Sequence, residues 1–89
     1  MVRMFVRHKV NDYAVWRKAY DDFDGERVGL GVKGHSVFQA ADDPNDLTVC
    51  HDFETLDAAQ SFAGSDRLKE VMKGAGVVSA PDIWFTNPT

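Results

Sequence analysis

The chain of 89 residues carries ten Lys and Arg against fourteen Asp and Glu, which gives a net charge of −4, and 44% of its residues are hydrophobic. This length predicts one domain, residues 1–89, and the acidic balance without a Lys/Arg cluster argues against nucleic-acid binding. Charges interrupt the amino-terminal residues, so neither a signal peptide nor a membrane span is expected, and the single cysteine, Cys50, cannot form an internal disulfide. We therefore expect a cytoplasmic protein with a small core, which association with a second copy would extend.

Residues 2–9 alternate between apolar and mostly charged side chains, which predicts a strand with one face in the core. Asn11 or Asp12 can cap a helix directly after it. Gly25 is predicted to end that helix. The aromatic residues of this segment follow one another at spacings of three and four, as on a single helical face: Tyr13, Trp16, Tyr20 and Phe23.

A hairpin is predicted next, with strands at residues 32–40 and 47–53. The connecting segment 42–46 is rich in Asp, Asn and Pro, which is typical of a turn. In the register that this turn implies, Ser36 faces the core, while His35 and Asp52 pair across the hairpin on the other face.

Thr55 begins a second helical region, Gly64-Ser65 interrupts it, and Gly74 or Gly76 ends it. Pro81 opens a last strand that runs through Thr86. The element order is therefore βαββαβ. This order predicts an α+β, ferredoxin-like fold, a four-stranded antiparallel sheet with both helical regions on one face.

The two faces of the predicted sheet differ in character. The face beneath the helices carries His8, His51 and Ser36 among apolar side chains. The open face combines charges with Phe5, Val37 and Trp84, which is too apolar for contact with water alone. This open face is predicted to be the interface of a homodimer, with two sheets packed face to face.

Four short segments resemble a bacterial branch of the dimeric α/β-barrel superfamily. They are His8-Lys9-Val10-x-Asp12-Tyr13-x-x-Trp16, Asp42-Asp43-Pro44-Asn45, Leu68-Lys69-Glu70-x-Met72, and Ala75-Gly76-Val77 followed by Pro81. The superfamily includes antibiotic-biosynthesis monooxygenases, polyketide cyclases, muconolactone isomerases and haem-degrading monooxygenases. The resemblance implies a dimeric barrel with a pocket between sheet and helices.

His51 and His8 are the candidate catalytic residues, because a histidine on an apolar face is costly unless it is hydrogen-bonded or used. The alternative is that both are core residues satisfied by neighbouring groups. The candidate substrate-binding residues lie around them: Tyr13, Trp16, Ser36 and Tyr20. His8 and His51 are predicted to lie about 13 Å apart along the strands, too far to share a metal ion, and no metal site is predicted.

Three functions remain open from the sequence. The first is a cofactor-free enzyme, a cyclase, isomerase or monooxygenase, that acts on an aromatic or polyketide-like substrate, with proton transfer favoured over oxygenation. The second is a dimer that binds a small ligand or haem without turnover. The third is a structural or stress-related dimer.

Overall fold

The computed structural model describes all residues, 1–89. Four strands and four short helices follow one another in this order: β1 (Val2–Lys9), α1 (Tyr13–Asp22), α2 (Asp24–Gly29), β2 (Gly34–Ala40), β3 (Asp43–Phe53), α3 (Leu56–Ala63), α4 (Asp66–Gly74) and β4 (Asp82–Thr86).

The strands form one antiparallel sheet in the order β2-β3-β1-β4. Each of the two predicted helical regions is a pair of helices, and all four helices cover the same face. The predicted ferredoxin-like βαββαβ fold is therefore confirmed. The longest helix, α1, has 10 residues, and none of the helices is long and apolar enough to cross a membrane.

Side-chain caps begin three of the helices. Asp12 accepts a hydrogen bond from the backbone N–H of Ala14 at the start of α1 (2.8 Å), and Thr55 accepts one from Ala58 at the start of α3 (3.1 Å). Ser65 caps α4 in the same way, which explains why Gly64-Ser65 interrupts the second helical region. Each cap satisfies a backbone N–H that has no partner within the helix.

The inner faces of β1 and β3 form the centre of the core. Their alternating buried residues lie opposite one another in the antiparallel register. The inward pairs are Val2 with Phe53, Met4 with His51, Val6 with Val49, and His8 with Leu47. Two clusters of buried side chains result, one around Phe53 and Phe62 and the other around Trp16 and Leu47.

The hairpin differs from the prediction. The turn is only two residues, Ala41 and Asp42, and β3 begins at Asp43, which pairs with Ala40 of β2, whereas the pairing of β3 with β1 begins at Asp46. The three residues from Pro44 to Asp46 are accommodated at an irregularity opposite Gln39 and Ala40. This shift in register by an odd number of residues reverses the two faces of β2.

The register places His35 opposite His51 and Ser36 opposite Cys50. His35 therefore faces the helices and Ser36 the open side of the sheet. The predicted pairing of His35 with Asp52 is wrong, because Asp52 lies opposite Gly34 and binds Arg3 (2.7 Å).

The first helical region extends further than predicted. Gly25 does not end it, because the chain turns at Phe23 and continues as α2 to Gly29. Phe23 has αR backbone angles, so its carbonyl accepts a hydrogen bond from the N–H of Arg27 (3.0 Å). Gly31, with a φ of 98°, makes the turn that follows.

Alanine substitutions at two glycines near the end of α4, Gly74 and Gly76, are expected to change the free energy of unfolding in opposite directions. Gly76 has a φ of 85°, a conformation that costs an L-residue about 1–2 kcal/mol, so Gly76→Ala is expected to lower the free energy of unfolding by about that amount. Gly74 is helical and a Cβ there meets nothing within 4 Å, so Gly74→Ala should raise the free energy of unfolding by up to about 1 kcal/mol. Urea unfolding measures both changes, and effects of the same sign would contradict this description of the turn.

Candidate functional site

A cavity of about 50 Å³ lies between the inner face of the sheet and the helices. It is bordered by members of both core clusters, so it separates them. A space of this size holds a few water molecules, or a compact group of a larger ligand. Thirteen residues line it, ten of them hydrophobic, and the other three are His8, Arg27 and His51.

His51 projects into this cavity from near the end of β3. Its side chain is buried, and its ring lies 5.1 Å from the ring of Phe62 and 6.4 Å from that of Tyr20. Nδ1 of His51 has no hydrogen-bond partner. Burial lowers the pKa of His51 to about 3, and the positive charge of Arg27 contributes to that decrease. His51 is therefore a neutral imidazole with one unpaired nitrogen.

His8 lines the same cavity from the end of β1. It is as buried as His51, and its ring meets that of Trp16 edge-on at 5.9 Å. Nδ1 of His8 also lacks a partner, and burial lowers the pKa of His8. Because His51 lies opposite Met4 in the register, four residues of strand, about 13 Å, separate the two histidines.

No group of three His, Cys, Asp or Glu side chains is placed to hold a metal ion. The two histidines line different parts of the cavity, and a ligand would have to extend along β1 to contact both.

Helix α1 supplies an aromatic wall. The rings of Trp16 and Tyr20 stack at 4.8 Å with an interplanar angle of 24°, and both line the cavity. Tyr13 stacks on the far side of Trp16 at 6.1 Å, only partly buried, and does not reach the cavity. The helical stripe predicted from the spacing of these residues is therefore present, with Tyr13 at its outer end.

Ser36, the fourth predicted substrate-binding residue, is on the wrong face. It is exposed on the open side of the sheet, because the three-residue irregularity after Asp43 shifts the pairing of β2 with β3 by an odd number of residues. His35, the preceding residue, faces the helices in its place and lies at the edge of the site.

His35 connects the aromatic wall to α2. The hydroxyl of Tyr20 lies 2.6 Å from Nδ1 of His35, and Nε2 of His35 lies 3.2 Å from a carboxylate oxygen of Asp24. The consistent arrangement has Tyr20 donating to Nδ1 and Nε2–H donating to Asp24. Burial raises the pKa of Tyr20 to about 12, so its hydroxyl stays protonated and remains a donor.

Arg27 is a site residue that was not predicted from the sequence. It lies on α2, its side chain is 2% exposed, and it borders the cavity. A signal was present, because Arg27 follows Phe23 by four residues and so continues the stripe of Tyr13, Trp16 and Tyr20. The predicted helix end at Gly25 excluded it.

The architecture and the cavity define this chain as a ferredoxin-like α+β domain with a small, largely apolar cavity between sheet and helices. Comparison with protein-family models gave no match, and comparison with curated protein sequences gave none.

Solved structures match across the whole chain. One, from Bordetella bronchiseptica and assigned as an antibiotic biosynthesis monooxygenase, has a TM-score of 0.84 at 17% identity, covering 99% of this chain and 96% of that one. SnoaB, a cofactor-independent oxygenase from Streptomyces nogalater, has a TM-score of 0.75 at 14% identity, covering 99% and 94%. A conserved protein from Methanosarcina mazei has a TM-score of 0.74 at 16% identity, covering 99% and 92%. These likenesses establish that the fold is shared with proteins of the antibiotic-biosynthesis-monooxygenase kind.

The burial of His51 makes stability depend on pH. Its pKa is about 3 in the folded chain and about 6.5 in an unfolded chain, so the unfolded state binds more protons between these values and stability falls as pH decreases. From pH 7.5 to pH 5, His51 alone should reduce the free energy of unfolding by about 2 kcal/mol. Between the same two pH values, the free energy of unfolding of His51→Phe should therefore fall by about 2 kcal/mol less than that of the wild type, as measured by urea unfolding. Equal losses in the two proteins would mean that His51 is not buried as a neutral ring.

Proposed function

We propose that this protein is a small-molecule enzyme that works without a cofactor and transfers protons within the cavity. The observation that carries the proposal is the presence of two buried, neutral imidazoles in one apolar cavity, each with an unpaired Nδ1. A buried polar atom without a partner costs about 1–3 kcal/mol. A ligand that bonds to these nitrogens would remove that cost, whereas a purely structural histidine would be expected to have a partner.

The proposed reaction begins with the removal of a proton from a substrate carbon. In an isomerisation the proton returns to another carbon, and in a cyclisation the carbanion attacks a carbonyl carbon, whose oxygen takes up the proton as the C=O π bond breaks. His51 accepts the proton and returns it, so nothing is oxidised and no co-reactant is needed. His8 assists by hydrogen-bonding a substrate oxygen. Burial, and after it the charge of Arg27, lowers the pKa of His51 to about 3, so His51 is a weak base at neutral pH. A bound substrate that offsets the charge of Arg27 would raise that pKa.

The proposed substrate is aromatic or polyketide-like. The rings of Trp16 and Tyr20 contribute apolar surface to the wall of the cavity, which suits contact with an aromatic substrate. Tyr13 extends this surface outwards, where a longer substrate would reach it. The fold is shared with SnoaB, which is described as a cofactor-independent oxygenase, and this likeness supports the cofactor-free part of the proposal.

We also propose that the working unit is a homodimer joined through the open face of the sheet. Phe5 and Trp84 stack there at 5.4 Å, Trp84 is 42% exposed and Phe38 is 55% exposed. The ion pairs Arg3–Asp52 and Arg7–Asp46 frame these rings. An apolar centre with a charged rim is typical of a subunit interface. The proposed enzyme works in the cytoplasm, where the thiol of Cys50 stays reduced.

The catalytic proposal is tested by replacing His51 after a screen of aromatic and polyketide-like compounds has found one that turns over. His51→Phe is expected to reduce kcat at least 100-fold, because loss of a general base costs about that factor or more. Ser36→Ala, on the opposite face of the sheet, is the control and should leave kcat unchanged. Turnover that survives His51→Phe would exclude His51 as the base, and a purified protein that carries bound haem would favour the binding function instead.

The dimer proposal is tested by sedimentation of the wild-type chain and of Trp84→Ala. The wild type should sediment as a dimer, and Trp84→Ala should raise the dissociation constant about 30-fold, since a central interface aromatic contributes about 2 kcal/mol. Leu56→Ala, which removes an exposed apolar residue on the helical side, should not change it. A wild-type chain that is monomeric at high concentration would contradict the proposal.

A further inference from the structure

Arg27 places the only permanent positive charge in the wall of the cavity. Its side chain is 2% exposed, and the other lining residues include no Asp or Glu. The remaining polar groups of the wall are the two neutral histidines and the aromatic residues of α1. Arg27 is therefore the only charged group in this largely apolar wall, where a charge acts more strongly than it does in water, and the carboxylate of its partner Asp24 is not part of the lining.

The guanidinium group is held in a fixed position. One terminal nitrogen donates to the backbone carbonyl of Tyr20 (2.7 Å), and the other donates to the carboxylate of Asp24 (3.2 Å), a side chain that is more than half exposed. The guanidinium carbon lies 3.8 Å from the centroid of the Tyr20 ring, so the planar cation stacks on the aromatic wall. Nε–H has no partner, although it is buried.

Three unpaired buried nitrogen atoms thus belong to this one site, Nε of Arg27 and Nδ1 of His51 and His8. Arg27 and His51 are close enough for the charge of Arg27 to act on His51, and both lie against the ring of Tyr20. An anionic oxygen in this cavity could accept a hydrogen bond from Nε–H of Arg27 beside the neutral ring of His51. The bonds to Tyr20 and Asp24 do not explain this arrangement, because they leave Nε–H unused.

We infer that the cavity binds a substrate carrying a carboxylate, and that Nε–H of Arg27 donates to it. This inference rests on the proposed function and specifies the charge of the substrate. The carboxylate would neutralise the guanidinium in the wall, and the same neutralisation would let His51 accept a proton more readily. Arg27 is in this sense the specificity-determining residue of the site, and Asp24 and the Tyr20 carbonyl are the groups that position it.

Two pairs of probes test the inference on the full chain by NMR titration, followed through the side-chain signals of His51 and Trp16. Acetate and acetamide match the volume of the cavity, and benzoate and benzamide add an aromatic ring. In each pair only the acid is charged at pH 7. The wild-type chain is expected to bind the acid at least tenfold more tightly than the amide.

Arg27→Met removes the charge and should abolish that preference while amide binding stays within twofold. Arg27→Gln keeps a donor for the Tyr20 carbonyl and serves if Arg27→Met does not fold. Arg67→Met is the matched control, because Arg67 is a half-exposed arginine paired with Glu26 and Glu70 outside the cavity. It should leave the preference intact.

The outcomes separate this inference from the proposed function. Equal binding of acid and amide by the wild type, or a preference that survives in both Arg27 variants, would overturn the role of Arg27 while leaving a ligand site in place. Failure of every probe to shift the His51 and Trp16 signals at saturating concentration would overturn both, since the cavity would then not be a ligand site.

Discussion

Strands β1 and β3 lie side by side in the middle of the sheet, and each is hydrogen-bonded along both of its edges. The inward side chains of both strands lie between the sheet and the helices. Whatever residue occupies an inward position of these strands is therefore removed from water, whatever its polarity. Leu47 and Val49 gain free energy from this burial, whereas His8 and His51 lose solvation and gain no hydrogen bond in return at Nδ1. The chemistry of the cavity follows from that constraint.

Much of the fold could be predicted from the sequence because its signals are local. The alternation of Val2, Met4 and Val6 defines a half-buried strand, and Thr55 caps a helix through a contact only three residues away. The order of these elements leaves few compatible topologies. The inward position of both histidines also follows from alternation within a single strand, so it required no knowledge of pairing.

The pairing register of β2 could not be predicted in the same way. The segment from Asp42 to Asp46 has the composition of a turn, but Asn45 is used elsewhere. Its backbone carbonyl accepts from Val10, and its side chain accepts from the N–H of Tyr13. These contacts cross more than thirty residues of sequence. They hold Asn45 against the segment that follows β1, within the three residues that interrupt the pairing of β2 with β3. This interruption exchanges the faces of His35 and Ser36.

The helix containing Arg27 was missed for a related reason. Glycine often ends helices, so Gly25 was expected to end this one. The helix instead continues as α2 beyond Phe23, whose side chain is buried in the core, and this packing is not visible in the local sequence. An arginine is also rarely predicted to be a core residue, because its cost of burial is high unless a partner group is known. The partners here are a backbone carbonyl and an aromatic face, neither of which is visible as a charge in the sequence.

The helix α2 has six residues and carries both Arg27 and Asp24. None of its residues takes part in the pairing of the strands. It is bounded by Phe23 on one side and by the turn at Gly31 on the other. Substitutions within this short insert would change the charge that the cavity offers to a ligand while the pairing of the strands stays the same. Proteins with this fold can thus come to bind different molecules through changes in one short segment. The strand pairing that stabilises the fold is unchanged by such substitutions.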